Sequence, residues 1–319
     1  MAAAGKRWRA RELDLSLVRT VPLRARASKV GISDLAGRPK SGKTFRAFMA
    51  SLPPVLAARD LDRLAGAMVA AARHGKGSLF MMGGHVVKTG LSPVILELVR
   101  MRAVTAVAMN GAGAIHDLEL ASVGRTSEDV ARGLKDGTFG MAGETGRFMA
   151  DALAGRRGEG FGLALGRAIN DARLPYRRFS ILAACAAMGI PATVHVALGT
   201  DIVHQHPSAR GEDIGRESMA DFRRLCGVVA ALEGGVVINA GSAVILPEVF
   251  LKALTVARNL GHRVRRFTAA NLDMLQAYRP RMNVLIRPTA GGGTAIAITG
   301  HHEITIPLLA QAVAERIGK

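Results

Sequence analysis

Apolar positions along the chain fall into two rhythms. Short unbroken apolar runs that end at glycine read as strands buried on both faces, and longer stretches with apolar residues three and four apart read as helices. In order, they predict helical residues 47–73 with a break at Pro53-Pro54, a strand at 78–82, a helix at 93–101, a strand at 104–109 and a helix near 114–123. Residues 127–188 keep the helical rhythm and contain no strand. Alternation then resumes, with a strand at 193–197, a helix at 216–231, a strand at 236–239 and a helix at 247–260. Strands near 264–268, 283–287 and 294–299 and a closing helix at 306–317 complete the pattern. Repeated strand–turn–helix units imply parallel strands joined by crossovers. The expected fold is a doubly wound, mostly parallel α/β sheet. It would form one domain over residues 46–319 with an inserted helical lobe near 127–188, preceded by a basic arm over 1–45.

Composition narrows this picture. Hydrophobic residues make up 49% of the 319 and charged residues 21%, a globular balance. Lysine and arginine number 43 against 25 acidic residues, a net charge of +18. The excess is scattered, with small clusters at 6–11, 24–29 and 263–266. At 4% aromatics, the interleaving that stacks bases is missing, which argues against a nucleic-acid surface. Cys185 and Cys226 stand alone in apolar helical contexts and fit neither a disulfide framework nor a zinc site. No run approaches the roughly 18 apolar residues of a membrane span, and the basic N-terminus has no apolar leader core. A reduced, cytoplasmic setting is therefore expected, with no membrane.

In such a sheet, ligands bind outside the C-terminal ends of the strands. Four strand ends carry glycine beside polar groups: Gly83-Gly84-His85 with Thr89-Gly90, Asn110-Gly111-Ala112-Gly113, Gly199-Thr200-Asp201, and Asn239-Ala240-Gly241-Ser242. Glycine lets backbone N–H groups approach a pyrophosphate, and helix N-termini favour anions. Asn, Thr, Ser and Asp offer hydrogen bonds to ribose and carboxamide. Tight packing alone also makes such turns glycine-rich, but four in one chain favour a nucleotide. The cofactor-binding candidates are Gly83, Gly84, His85, Thr89, Gly90, Asn110, Gly111, Ala112, Gly113, Thr200, Asp201, Gly241 and Ser242, and the expected ligand is a nicotinamide dinucleotide.

His116-Asp117, with Glu119, opens a helix. Acidic residues suit the first turn for its dipole, and they suit acid–base work equally. Lys88, inside the first glycine turn, would neutralise phosphate or form an imine. His116, Asp117 and Lys88 are the catalytic candidates. His204 and His206 have the short spacing of metal ligands but no third partner, so they read as a polar loop over the site, and no metal is expected. His301-His302-Glu303 reads as a solvated loop with a cap. Residues 37–44, Gly-Arg-Pro-Lys-Ser-Gly-Lys-Thr, match the P-loop spacing, but a poor strand precedes them and Pro39 limits the wrap.

The order of these motifs resembles the deoxyhypusine synthase family. Phe80-Met-Met-Gly-Gly-His-Val-Val-Lys-Thr-Gly90 is similar to its first nucleotide-binding turn, and Asn110-Gly-Ala-Gly-Ala-Ile-His-Asp117 to its second. Leu198-Gly-Thr-Asp201, Gly234-Gly-Val-Val-Ile-Asn-Ala-Gly-Ser242 and residues 304–313 follow in the family's order. The resemblance implies a Rossmann-like fold, bound NAD, a polyamine or other small amine or amino acid as substrate, and a homo-oligomer, dimer or tetramer. Hydride abstraction beside the amine would give an imine, as it also would in an NAD-dependent ornithine-processing enzyme. One departure stands out. Where the family places a lysine before the last helix, Ala290-Gly-Gly-Gly-Thr-Ala-Ile-Ala-Ile-Thr299 has neither Trp nor Lys. Aminoalkyl transfer would lack its usual carrier, leaving amine oxidation or a non-catalytic dinucleotide-binding protein.

Overall fold

The computed structural model describes residues 10–318. The start of the expected arm and most of the basic cluster at 6–11 lie outside the described residues. Six strands form one sheet: β1 (Ser78–Met82), β2 (Ala106–Asn110), β3 (Ala192–His195), β4 (Val236–Ala240), β5 (Thr268–Asp273) and β6 (Thr294–Thr299). Their order is β3-β2-β1-β4-β5-β6, and every neighbouring pair is parallel. The fold is a doubly wound, Rossmann-like α/β sheet whose direction of winding reverses between β1 and β4. In a sheet of this strand order, that junction is the switch point where a ligand is expected.

Alternation along the strands builds two cores. Phe80 and Met82 of β1 join Leu64 and Met68 of α2 (Leu56–Arg73) on one face. Leu79 and Met81 join Val229 of α10 (Gly211–Ala230) and Phe250 of α11 (Ile245–Asn259) on the other. Every β1 residue is buried, so its uninterrupted apolar run is what a central parallel strand needs. Each such large side chain contributes about 1.5–3 kcal/mol when fully buried.

Two expectations fail here. The fifth strand begins at Thr268, four residues beyond the expected start at 264; Val264 instead lies fully buried ahead of it. Residues 283–287 are helical, running through α12 (Tyr278–Pro280), a π-helical run Arg281–Ile286 and α13 (Arg287–Thr289). Asn283 accepts a 2.7 Å hydrogen bond from Arg287 four residues on, a spacing only a helix satisfies, and donates another to Glu248.

Between β2 and β3 the chain forms α5 (Gly111–Val123), α6 (Val130–Asp136), α7 (Gly143–Gly155), α8 (Phe161–Asp171) and α9 (Ile181–Met188). Carboxylates of α10 secure this lobe. Glu217 accepts from the backbone N–H groups of Gly158 and Gly160, and Asp221 from those of Gly162 and Val194. The short helices α1 (Phe45–Met49), α3 (Gly84–Lys88) and α4 (Ser92–Arg100) and the closing α14 (His302–Ile317) complete the molecule. Among the described residues no helix is long and apolar enough to cross a membrane.

Candidate functional site

At the C-terminal edge of the sheet, α3 and α5 start almost directly from β1 and β2. Asn110 caps α5, its Oδ1 accepting from the Gly113 N–H at 2.9 Å. The glycines permit close approach. A Cβ on Gly83 would lie 2.1 Å from the Gly241 carbonyl oxygen, one on Gly84 would lie 2.9 Å from the His116 ring, and one on Gly111 would meet the Asp201 carboxylate at 1.9 Å. Gly241 also takes a left-handed φ of 67°. The predicted turns therefore converge, but as two neighbouring features rather than one open cradle.

The first is a pocket of about 590 Å³ between the ends of β1, β2 and β3, with Lys88, His116, Glu119, Glu128, Thr200 and Asp201 in its wall. Ala112 lines it too. Behind it a relay orients His116. Thr126 gives its hydroxyl proton to Glu119, and its oxygen stands 2.7 Å from His116 Nδ1. The carboxylate can only accept, so Nδ1 carries a proton and Nε2 keeps the ring's free lone pair. Burial works to raise Glu119, but hydrogen bonds from His116, Thr126 and Thr145 outweigh it and hold the group below the usual carboxylate range.

Asp201 forms the wall between this pocket and a second, narrower and more enclosed hollow. Its side chain is 7% exposed, and its Oδ2 is buried without a hydrogen-bond partner. Burial raises its pKa, opposed by His204, whose Nε2 lies 4.0 Å away. His204 Nδ1 accepts from the N–H groups of Gly199 and Asp201, while His206 turns away to the Gly140 carbonyl. Among the described residues no three His, Cys, Asp or Glu side chains group as metal ligands.

The second feature is the switch point itself. Gly83 donates to the Ala240 carbonyl, and Ser242, buried, accepts from Leu246 N–H at the start of α11. Thr89 bonds back to the His85 carbonyl, and Gly90 closes α3 with φ 81°. His85 faces α14, where His302 is 1% exposed; the solvated loop expected at 301–303 is thus wrong for His302.

Asp117 is a correction of another kind. It is wholly buried on the far side of α5, accepting from Ser180 Oγ and from the Ile181 and Leu182 N–H groups at the head of α9. Neighbours in sequence on a helix point about 100° apart, so His116 reaches the pocket and Asp117 does not. The P-loop spacing also has no loop to match it: Lys43 bonds its own strandless turn at the Arg38 carbonyl, and Thr44 caps the five-residue α1. Thr126 was missed, and His302 was read as solvated, because each meets its partner only through the fold.

No family model matches this chain, and no curated protein does. Solved structures do share its fold. A conserved protein from Methanococcus maripaludis S2, provisionally described as LOR/SDH, is 17% identical over 93% of this chain and 76% of its own, with a TM-score of 0.53. A structure described provisionally as deoxyhypusine synthase from Entamoeba histolytica is 10% identical over 86% and 94%, with a TM-score of 0.50. AgrE, solved as a ternary complex with ornithine and NAD+, is 14% identical over 80% of this chain and only 32% of its own, with a TM-score of 0.51. At these identities the likeness establishes the fold.

Proposed function

We propose that this protein is an NAD-dependent enzyme that oxidises the carbon beside an amine in a small amine, polyamine or amino acid. The carrying observation is the 590 Å³ pocket at the strand ends, where an oriented His116 stands beside three carboxylates. Glu119, Glu128 and Asp201 suit a cationic substrate. AgrE, which shares the fold, was solved with ornithine and NAD+, and this supports an amino acid of that kind as one candidate.

The residues fit a dinucleotide. Asp201 Oδ2 and Asn239 Oδ1 are buried acceptors without partners near the ends of β3 and β4, and ribose hydroxyls and a carboxamide supply donors. The cofactor, when bound, supplies the hydride acceptor. At the same edge, Gly83, Gly84 and Gly111 let the turns close on Gly241, His116 and Asp201 and so hold those groups in place. His116 Nε2 takes a proton from the substrate ammonium, freeing the nitrogen lone pair that drives hydride loss, and Lys88 offsets anionic charge at the rim. Assembly as a homodimer or homotetramer belongs to this reading; exposed Leu275, Tyr278 and Ile304 near the same edge support it. Calorimetric titration with NAD+ and NADP+, with and without ornithine and polyamines, tests it. Binding of either cofactor, tightened by an amine, is expected; no binding of either overturns the proposal.

A further inference from the structure

Helix α3 carries two polar side chains with different destinations. Lys88 lines the pocket beside β2, while His85, one turn earlier, meets α14. The Nδ1 atoms of His85 and His302 lie 3.0 Å apart, with ring centroids separated by 5.3 Å. His302 Nε2 lies 3.0 Å from the Leu272 carbonyl oxygen of β5. The His302 ring also roofs Gly241, where a Cβ would come within 2.8 Å of Cε1. The pair therefore stands over the junction of the β1 and β4 turns.

Hydrogen-bond chemistry fixes the direction of this chain. A carbonyl only accepts, so His302 Nε2 carries the hydrogen and donates it to Leu272. In the neutral ring, His302 Nδ1 is then bare, and the contact between the two rings requires His85 Nδ1 to donate. That leaves His85 Nε2 as a lone pair on a half-buried ring, and among the described residues nothing bonds to it.

We propose that His302 and the Leu272 carbonyl lock His85 as a hydrogen-bond acceptor at the switch point, and that this acceptor selects a neutral donor on the ligand, a hydroxyl or amide N–H, rather than a phosphate. The inference rests on the dinucleotide reading and deepens it, since ribose hydroxyls and the carboxamide are such donors. Every titratable or charged neighbour bears on the lock. Burial, His302 and Lys88 disfavour a second proton on His85, and Glu303 and Asp273 favour it; the first group prevails and the pKa falls below the ordinary histidine value. A second proton would convert the acceptor into a donor and remove the match.

Two measurements on the full chain test this. In 15N-histidine NMR without ligand, His85 should show the Nδ1–H tautomer and His302 the Nε2–H tautomer at neutral pH. In titrations with NAD+ from pH 5 to 8, affinity should stay flat near neutrality and weaken toward acid by up to about tenfold per pH unit once His85 protonates. His85→Phe should bind about five- to tenfold more weakly and lose that acid limb. His302→Leu should also weaken binding but keep an acid limb, moved to higher pH because His85 still titrates without the neighbour that disfavours its second proton, while His302→Gln, whose amide both accepts and donates, should restore affinity. Reversed tautomers, pH-independent NAD+ affinity, or undiminished binding by His85→Phe would each overturn the proposal. Absence of NAD+ binding at any pH would defeat the dinucleotide reading instead, and the tautomers alone would then decide the lock.

Discussion

Asp117 and Asp221 are carboxylates enclosed by backbone N–H donors, and burial still pushes each up to about 6. Their unfolded value lies near 3.9. Between about pH 4 and 6 the folded chain therefore binds more protons at these positions than the unfolded chain, and stability rises as pH falls through that window. Glu119, Glu217 and Glu248 are held below the ordinary value, so their contribution is present above about pH 4.3 and is lost further down. His195, which burial holds down to about 4, works the other way between about pH 6.5 and 4, so the thermal midpoint should stay nearly level from pH 7 to about 5 and then drop below about 4; a steep fall already between pH 7 and 5 would contradict these assignments. Removing Asp117 is a different matter, because Ser180, Ile181 and Leu182 would lose their shared acceptor. Asp117→Ala should cost about 3 kcal/mol in urea unfolding. Thr126→Val should leave NAD+ affinity intact, because Thr126 acts through His116. It should lower turnover on an amine at least about tenfold and shift the acid limb of the pH–rate profile, since the proton link to Glu119 is cut.

At the scale of elements, the contact of α3 with α5 depends on one missing methyl group. A Cβ at position 84 would press on both the His116 ring and Ala112, at 2.9 and 3.2 Å. Gly84→Ala should therefore cost about 1–3 kcal/mol and displace His116, read as a lowered thermal midpoint together with a shifted His116 ring resonance. That glycine was legible in the sequence as part of a turn; its packing role was not. The strands at 78–82 and 294–299 were readable to the residue, because glycine brackets each apolar run. Residues 283–287 were not. Asn-Val-Leu-Ile-Arg has the residue content of a strand, and only the pairing of Asn283 with Glu248 and Arg287 shows it to be a helical turn on α11. Helix and strand compete closely in short apolar runs, and tertiary contact decides.

The order of strands belongs to the whole molecule. Alternating strands and helices implied parallel pairing, but β1 and β4 are neighbours in space although β2, the lobe and β3 lie between them in sequence. The turns at both ends of that junction were legible in the sequence, whereas His302 read as a solvated loop because it arrives from the far end of the chain. The arm shows the opposite relation to the core. None of residues 10–44 is buried, and Leu13, Leu17 and Ile32 are 83%, 77% and 90% exposed. Its backbone meets the body chiefly where Gly37 donates to the Ser51 carbonyl, so it contributes little to the folded state of one chain. Phe45 and Met49, which do pack against the core, mark where the body starts. Deleting residues 1–43, which keeps the Thr44 cap of α1, should therefore leave the calorimetric midpoint within about 2 °C of the full chain. A fall of more than about 5 °C would mean that the apolar side chains of the arm are covered by protein in solution, by the chain's own body or by a second copy, and repeating the measurement across protein concentrations would separate the two.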